Sequence, residues 1–161
     1  MRFFPGNAGR TFLFVLSVSA LAVCTVVFAG GDIMEKKDRG NDMKIRISVN
    51  NTVLTATMYD NPTARDFVSL LPLTLTLKDY AGTEKISNLP KRLSLKGAPE
   101  GSNPSVGDIT YYSPWGNLAI FYRDFGYARG LIIMGKLDSD AGVLKECREP
   151  CTVTFERIHA E

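Results

Sequence analysis

Residues 107–137 read GDITYYSPWGNLAIFYRDFGYARGLIIMGKL, and this stretch decides the fold. Two apolar runs flank a turn at Ser113–Gly116, and the second run leads through Gly126 and Gly130 into a third. Apolar runs of this length that are bounded by glycine and proline are typical of β-strands. The stretch therefore predicts a meander of three strands that is dense in aromatic residues.

Strand patterns continue on both sides of this stretch. Alternation of apolar and polar residues predicts further strands over residues 44–49, 52–59, 73–78, 91–96 and 152–158. Asn50-Asn51 predicts the turn of a hairpin between the first two of these. In the last one, Val153 and Phe155 are expected to face inward. The domain is thus predicted to consist of strands almost throughout.

Two short helices and one long loop interrupt the strands. Asn61 followed by Pro62 is typical of a helix start, and apolar residues recur at helical spacing until Pro72 ends the helix. A second short helix is predicted over residues 138–144. Residues 97–107 contain three glycines and two prolines, which predicts a surface loop.

About eight strands with one or two short helices favour a closed all-β barrel, because closure removes exposed sheet edges. The first and last strands are expected to pair and close the ring. An open β-sandwich is the alternative, since alternation alone does not show closure. A chain of 161 residues is expected to hold one domain of this kind.

The run YYSPWGNLAIFY, followed by RDFGYARGLIIMGKLDS, resembles the bacterial cyclophilin-like domain family. The resemblance covers about residues 43 to 158. It implies a small closed β-barrel, and in that family the biochemical activity is mostly unassigned. The sequence therefore indicates the fold more sharply than the function.

The amino-terminal segment predicts export. Arg2 and Arg10 precede an almost wholly apolar run from Thr11 to Ala29 without acidic residues, which is the layout of a signal peptide cleaved before Gly30. A periplasmic or extracellular protein is expected. The expected order is a signal peptide at 1–29, a linker at 30–42, the cyclophilin-like barrel domain at 43–158 and a tail at 159–161.

Three other interpretations of the leader stay open. Residues 11–29 reach the lower range for spanning a bilayer, so the segment is also compatible with an uncleaved membrane anchor. Leu21–Cys24 loosely resembles a bacterial lipoprotein box that would lipidate Cys24, although Val23 departs from that pattern. Translation from Met34 or Met43 would leave the protein cytoplasmic. A membrane contact is expected only if the leader is retained or lipidated.

Charge excludes one class of partner. The leader carries two of the 19 basic residues and none of the 17 acidic ones, so the mature chain has a formal net charge near zero. Nucleic-acid binding requires a basic patch that neutralises phosphates, so a nucleic-acid partner is not expected. The sequence does not indicate an oligomeric state.

Cys147 and Cys151 are the cysteines that remain after cleavage, and they predict a disulfide in an oxidising compartment. Residues four apart in one strand lie too far apart to be bridged, so Glu149-Pro150 is expected to form a turn. A redox pair usually has two intervening residues, and no further cysteine or nearby histidine completes a zinc site. Neither a metal nor a cofactor is expected.

Most catalytic chemistries lack their residues in this chain. His159 is the single histidine and lies two residues from the end, which excludes a Ser-His-Asp hydrolase or a histidine-rich metal site. Residues 97–107 have no Gly-Lys-Ser/Thr ending, so they form no phosphate-binding loop.

The aromatic residues remain as the candidate site. Period-two alternation over a strand at 117–125 places Phe121, Arg123 and Phe125 on one face. On such a face we expect the aromatic rings to hold an apolar group of a ligand and the guanidinium to donate hydrogen bonds to it. The candidate binding residues are Tyr111, Tyr112, Trp115, Phe121, Phe125, Tyr127 and Arg129. The alternative is that these rings fill the barrel core and its ends, with Arg123 and Arg129 extending to water.

These residues lead to two functional predictions. The first is a binding module for a peptide or small molecule without strong catalysis. The second, which rests on the resemblance, is peptidyl-prolyl cis-trans isomerisation with Arg123 as the catalytic residue, because true cyclophilins use an arginine in a Phe-His-Arg segment. Phe121-Tyr122-Arg123 matches that segment only loosely, and the glutamine-glycine-glycine segment of the enzymes is missing.

Overall fold

The computed structural model of the chain describes residues 43–158. The predicted leader with Cys24, the linker at 30–42 and the tail with His159 lie outside these residues. Within residues 43–158, no helix has the length and apolar character needed to cross a bilayer.

The described chain forms ten strands and two short helices. They are β1 (Met43–Val49), β2 (Thr52–Met58), α1 (Pro62–Val68), β3 (Leu73–Tyr80), β4 (Glu84–Asn88), β5 (Gly101–Ser102), β6 (Asp108–Tyr112), β7 (Asn117–Phe121), β8 (Ala128–Arg129), β9 (Leu131–Leu137), α2 (Gly142–Glu146) and β10 (Cys151–Arg157).

Eight of the strands close an antiparallel barrel in the order β1-β10-β3-β4-β7-β6-β9-β2. The predicted pairing of the first and last strands is confirmed, with Ile45 opposite Arg157 and Val49 opposite Val153. The remaining strands, β5 and β8, pair with each other as a separate two-stranded ribbon. The prediction of a closed barrel is therefore confirmed, and the sandwich alternative is wrong.

Alternate residues of the barrel strands fill one core. Ile45, Ile47, Val153 and Phe155 have no exposed surface, as period-two alternation requires for inward positions. Helix α1 contributes Phe67, whose ring meets Phe155 edge-on with centroids 5.9 Å apart. The predicted cap is present, since the Asn61 side chain accepts a hydrogen bond from the Ala64 N–H.

The predicted order of the three central strands is wrong. Strand β6 lies in the middle, because it pairs with β7 on one side and with β9 on the other. In a meander β7 would lie between the other two. The chain instead leaves β7 through residues 122–130, which is long enough to reach the far edge of β6, where the Ser113 N–H donates to the Gly130 carbonyl oxygen at 2.9 Å.

The prediction of a strand over residues 91–96 is wrong, because these residues form no strand. The strand that follows β3 is β4 at Glu84–Asn88, which was not predicted. Leu93 is buried but Leu95 is 52% exposed, so the alternation of these leucines does not mark a buried face. The Leu93 N–H donates to Tyr111 Oη at 3.2 Å, so a side chain takes the place of a ladder partner. Strand β4 was not predicted because a lysine, Lys85, occupies an inward position where the alternation pattern requires an apolar residue. Lys85 is almost wholly buried.

The disulfide between Cys147 and Cys151 is present, with both residues buried. Helix α2 precedes it; compared with the prediction, the helix begins four residues later and ends two residues later. The loop between the cysteines is tied to the barrel by two hydrogen bonds. Lys85 Nζ donates to the Cys147 carbonyl oxygen at 3.1 Å, and the Asp79 N–H donates to Glu149 Oε1 at 2.9 Å. The loop is therefore held against β3 and β4.

Gly135 provides a test of how the barrel closes. It lies opposite Met58 in the pairing of β2 with β9, where an added Cβ would lie 2.6 Å from the Thr57 carbonyl oxygen and 2.9 Å from Met58 Cα. Because two backbone segments would have to separate, we expect Gly135→Ala to lower the free energy of unfolding by about 3 kcal/mol, measured by denaturant titration. Gly126→Ala is the matched control, since an added Cβ there meets nothing within 4 Å. Equal stability of the two variants would contradict this description of the closure.

Candidate functional site

The outer face of β7 is buried although it points away from the barrel core. Leu118 and Ile120 face inward, but Asn117, Ala119 and Phe121 are almost wholly buried as well. Ala119 and Phe121 pack with Leu131 in a second apolar cluster, against which Tyr112 and Ala128 lie. The segment after β7 therefore returns over the outside of the barrel and covers part of it.

A cavity of about 210 Å³ lies beside this cover, and we call it the aromatic groove. Its lining comes from β3, β4, β6, β7, β8, β9 and the segments that connect them. The lining residues are Tyr80, Ala81, Thr83, Glu84, Tyr112, Trp115, Asn117, Phe121, Phe125, Ala128 and Leu131.

Strand register aligns part of this lining in a row. Tyr80 at the end of β3 lies opposite Glu84 at the start of β4, and Glu84 lies opposite Phe121 on β7. The tight turn between β3 and β4 holds Ala81 and Gly82 at positive φ angles of 51° and 64°. That turn brings Tyr80 and Glu84 to the same outer face of neighbouring strands.

The aromatic rings of the groove are in mutual contact. The Trp115 ring meets the Tyr80 ring edge-on at 5.6 Å and the Tyr112 ring at 5.3 Å between centroids. The Phe121 and Phe125 rings lie 6.3 Å apart with an interplanar angle of 31°. Trp115 is nevertheless 56% exposed and Phe125 53% exposed. The groove thus presents large apolar surface to solvent from rings that are already held in place.

Two polar side chains stand among these rings. The Asn117 side chain is buried and its Nδ2 donates to the Leu118 carbonyl oxygen at 3.3 Å, but its Oδ1 accepts no hydrogen bond from residues 43–158. Glu84 is partly buried, and this burial raises the pKa of its carboxyl from 4.5 to about 7. The groove is therefore lined by a residue whose unpaired acceptor is shielded from solvent, and by a carboxyl group whose pKa is raised to about 7.

The structure brings four of the seven predicted binding residues to the groove, namely Tyr112, Trp115, Phe121 and Phe125. The other three lie elsewhere. Tyr111 is buried in the barrel core. Tyr127 is exposed and covers Gly101, where an added Cβ would lie 2.7 Å from its ring. Arg129 lines a separate depression together with Glu100 and Pro114.

Arg123 does not join the aromatic rings. The predicted strand over 117–125 is wrong in its second half, because β7 ends at Phe121. The N–H groups of Tyr122 and Arg123 both donate to the Thr83 carbonyl oxygen, at 3.1 and 3.2 Å, which bends the chain away from the alternation. Arg123 is exposed and is not part of the groove lining, whereas Phe125 returns to it.

Tyr80, Glu84 and Asn117 also line the groove, and residue patterns alone do not predict them as site residues. Tyr80 ends the alternating strand that begins at Leu73, and an aromatic residue before an Ala-Gly turn is the signal that was available. Glu84 offers no such signal, since its neighbourhood depends on the pairing of β4 with β7. In residues 43–158, His, Cys, Asp and Glu form no group of three or more that could hold a metal ion.

Comparison with known proteins agrees with the fold. The model of the Cyclophilin-like family matches residues 47–156. The solution structure of the hypothetical protein AF2241 from Archaeoglobus fulgidus is similar, with a TM-score of 0.53 and 19% identity over 76% of this chain and 99% of that chain. At that identity the likeness shows the fold alone. No curated protein matches the chain at a significant level.

The raised pKa of Glu84 predicts a pH-dependent stability difference for Glu84→Gln. The folded parent binds this proton more tightly than the unfolded chain, so the parent loses stability relative to the variant as pH rises from 4.5 to about 7. Because water partly screens the carboxyl, we expect the variant to be more stable by about 1 kcal/mol at pH 8 and equal to the parent at pH 4.

Urea unfolding at both pH values measures this difference. Glu146→Gln, at an exposed position of α2, controls for the general loss of one negative charge. A stability difference between parent and Glu84→Gln that is the same at pH 4 and pH 8 would contradict the burial of the carboxyl.

Proposed function

The chain belongs to the Cyclophilin-like family, and on that premise we propose that it is an exported binding module. Its aromatic groove holds one apolar group of a peptide or small molecule, without strong catalysis. The observation that carries this proposal is the convergence of exposed rings on a single concavity.

Exposure of large apolar rings to water is unfavourable, and a patch of such rings is typical of an interaction site. Trp115 and Phe125 each leave more than half of their surface in water, although they contact other rings of the groove. Covering about 100 Å² of such surface with a ligand would contribute about 2.5 kcal/mol to binding. The contacts between rings hold them in place before binding, so little side-chain freedom is lost when a ligand arrives.

The size of the groove limits what it holds. Its volume of about 210 Å³ lies below the ~300 to 1,000 Å³ of sites that enclose drug-sized molecules. One ring or one branched group of a few carbon atoms fills it.

The isomerase alternative has less support. Prolyl isomerisation as the resemblance implies it needs Arg123 beside the bound proline, and Arg123 lies outside the groove lining. The rings that would hold a proline and the guanidinium that would polarise its bond are therefore not in one place. Binding is the function that the described residues support best.

Export is the other part of the proposal. The run of apolar residues from Thr11 to Ala29 is the layout of a cleaved leader, and the buried Cys147–Cys151 disulfide fits an oxidising compartment. Retention of residues 11–29 as an anchor would leave the same domain attached to a membrane.

Trp115 makes the binding proposal directly measurable, because it is the single tryptophan of the chain. We expect a saturable change of its fluorescence, and a raised melting temperature, with at least one member of a panel of short capped peptides bearing proline, leucine or methionine and of branched alcohols. Phe125→Ala is expected to weaken that binding at least about tenfold, since it removes one ring of the groove.

Arg123→Ala is the matched control, at an exposed position two residues away. It should bind the panel like the parent. A panel without any saturable response, or an Arg123→Ala variant that loses binding while Phe125→Ala retains it, would contradict the proposal.

Export predicts a particular mature protein. Mass spectrometry of the protein from its native host is expected to find a chain that begins at Gly30 and is lighter than the reduced form by two hydrogen atoms. A mature chain that still carries Met1, or one in which both cysteines are free thiols, would contradict the corresponding half of this prediction.

A further inference from the structure

The carboxylate of Glu84 has no cationic partner in the part of the chain that the structure describes. Five ion pairs occur among these residues, and none of them includes Glu84. The nearest basic residue in sequence, Lys85, points to the opposite side of β4. Its Nζ lies 3.2 Å from Asp79 Oδ1, inside the end of the barrel. The negative charge of the groove is thus left for something else to neutralise.

Lys85 is also firmly committed to its own site. Besides Asp79 it donates to the Cys147 carbonyl oxygen at 3.1 Å, and its Nζ lies 6.0 Å from the centre of the Tyr122 ring. Tyr122 donates to the same Asp79 oxygen at 2.6 Å, and this hydrogen bond holds the pKa of Asp79 below its usual range. A rearrangement that brought Lys85 to Glu84 would have to break all of these contacts.

The remaining lining of the groove also favours a positively charged ligand. Five aromatic rings face it, and the face of an aromatic ring carries negative electrostatic potential that attracts cations. An ammonium ion in the groove would be attracted both by the Glu84 carboxylate and by the aromatic rings, whereas an anion would be repelled. The lining contains no lysine or arginine that would reverse this preference.

Resting on the binding function proposed above, we propose that the occupant of the aromatic groove is a small organic ammonium ion. Its alkyl groups contact the rings around Trp115 and Phe125, and its charge is balanced by Glu84. A volume of about 210 Å³ suits a substituted ammonium group with a short chain. Of the two sources of such a group we assign a free small molecule, and a modified side chain of a protein is an outcome of the test below.

Charge balance by Glu84 requires affinity to depend on pH. Tyr80 on β3 and Tyr112 on β6 are the other titratable side chains that line the groove. The surrounding segments carry further charged or titratable side chains that do not line it, namely Lys78, Asp79, Lys85, Asp108, Tyr111, Tyr122, Arg123, Asp124, Tyr127, Arg129 and Lys136. Burial raises the pKa of Tyr122 to about 12, so it stays neutral below pH 8. With a pKa of about 7, Glu84 loses most of its charge between pH 8 and pH 6, and affinity for a permanent cation should fall about tenfold over that range.

Choline and its neutral carbon analogue 3,3-dimethyl-1-butanol test this proposal, because they share their shape and differ in charge. Trp115 fluorescence and calorimetry on the full chain measure the affinity of each at pH 8. We expect choline to bind at least about tenfold more tightly than the alcohol, and Glu84→Gln to reduce that preference to the smaller part that the rings contribute. Glu146→Gln, which also removes one negative charge, should retain it.

The results separate this inference from the binding function. If the neutral alcohol binds the parent as tightly as choline does, the ammonium inference is wrong while apolar binding in the groove stands. If neither compound binds but the apolar peptide panel does, the ammonium inference is likewise wrong. A short peptide carrying trimethyllysine that binds when choline does not would overturn the assignment to a free small molecule. If neither choline, the alcohol, the trimethyllysine peptide nor the apolar panel binds, the proposed binding function is wrong as well.

Discussion

The close approach of β2 and β9 is the contact on which the remaining structure depends. The two strands pair over the short stretch from Ala56 to Met58, and at Gly135 there is no space between them for a side chain. This pairing completes the ring of strands, so each barrel strand has two fixed neighbours. The inward side chains are buried in the core and are not available to a ligand. Any binding surface has therefore to be built on the outside of the barrel or at its ends.

The outside of β4, β7 and β6 is where the chain builds such a surface. Residues 122–130 return over this face and bury Ala119 and Phe121, but they leave a gap in which Trp115 and Phe125 stay accessible. Glu84 lies in that gap with its charge uncompensated by the residues that the structure describes. An unpaired, partly buried carboxyl weakens the folded state, and such groups are typical of functional sites. The arrangement is more easily explained by a cationic ligand than by the requirements of the fold.

Residue patterns predicted the barrel well and the site in part. Alternation identified most of the strands, and the aromatic run identified Tyr112, Trp115, Phe121 and Phe125 as neighbours of the groove. The alternation rule failed at β4. There Lys85 occupies an inward position, because Asp79 and the Cys147 carbonyl oxygen satisfy its charge. It also failed at Arg123, because hydrogen bonds to the Thr83 carbonyl oxygen end the strand early. Both failures involve a carbonyl oxygen that is distant in sequence, that of Cys147 for Lys85 and that of Thr83 for Arg123. Because β4 was not predicted, Glu84 was not recognised as a site residue.

The location of a bound ammonium ion is the most direct test of the central claim. An NMR titration of the ¹⁵N-labelled protein with choline reads that location from the amide shifts and from the indole N–H of Trp115. The predicted result is a saturable set of changes confined to the groove lining, namely residues 80–84, Tyr112, Trp115, Asn117, Phe121 and the segment 125–131. Changes that centre on the depression beside Arg129 or on the barrel end at Lys85, or no changes at all, would contradict the claim.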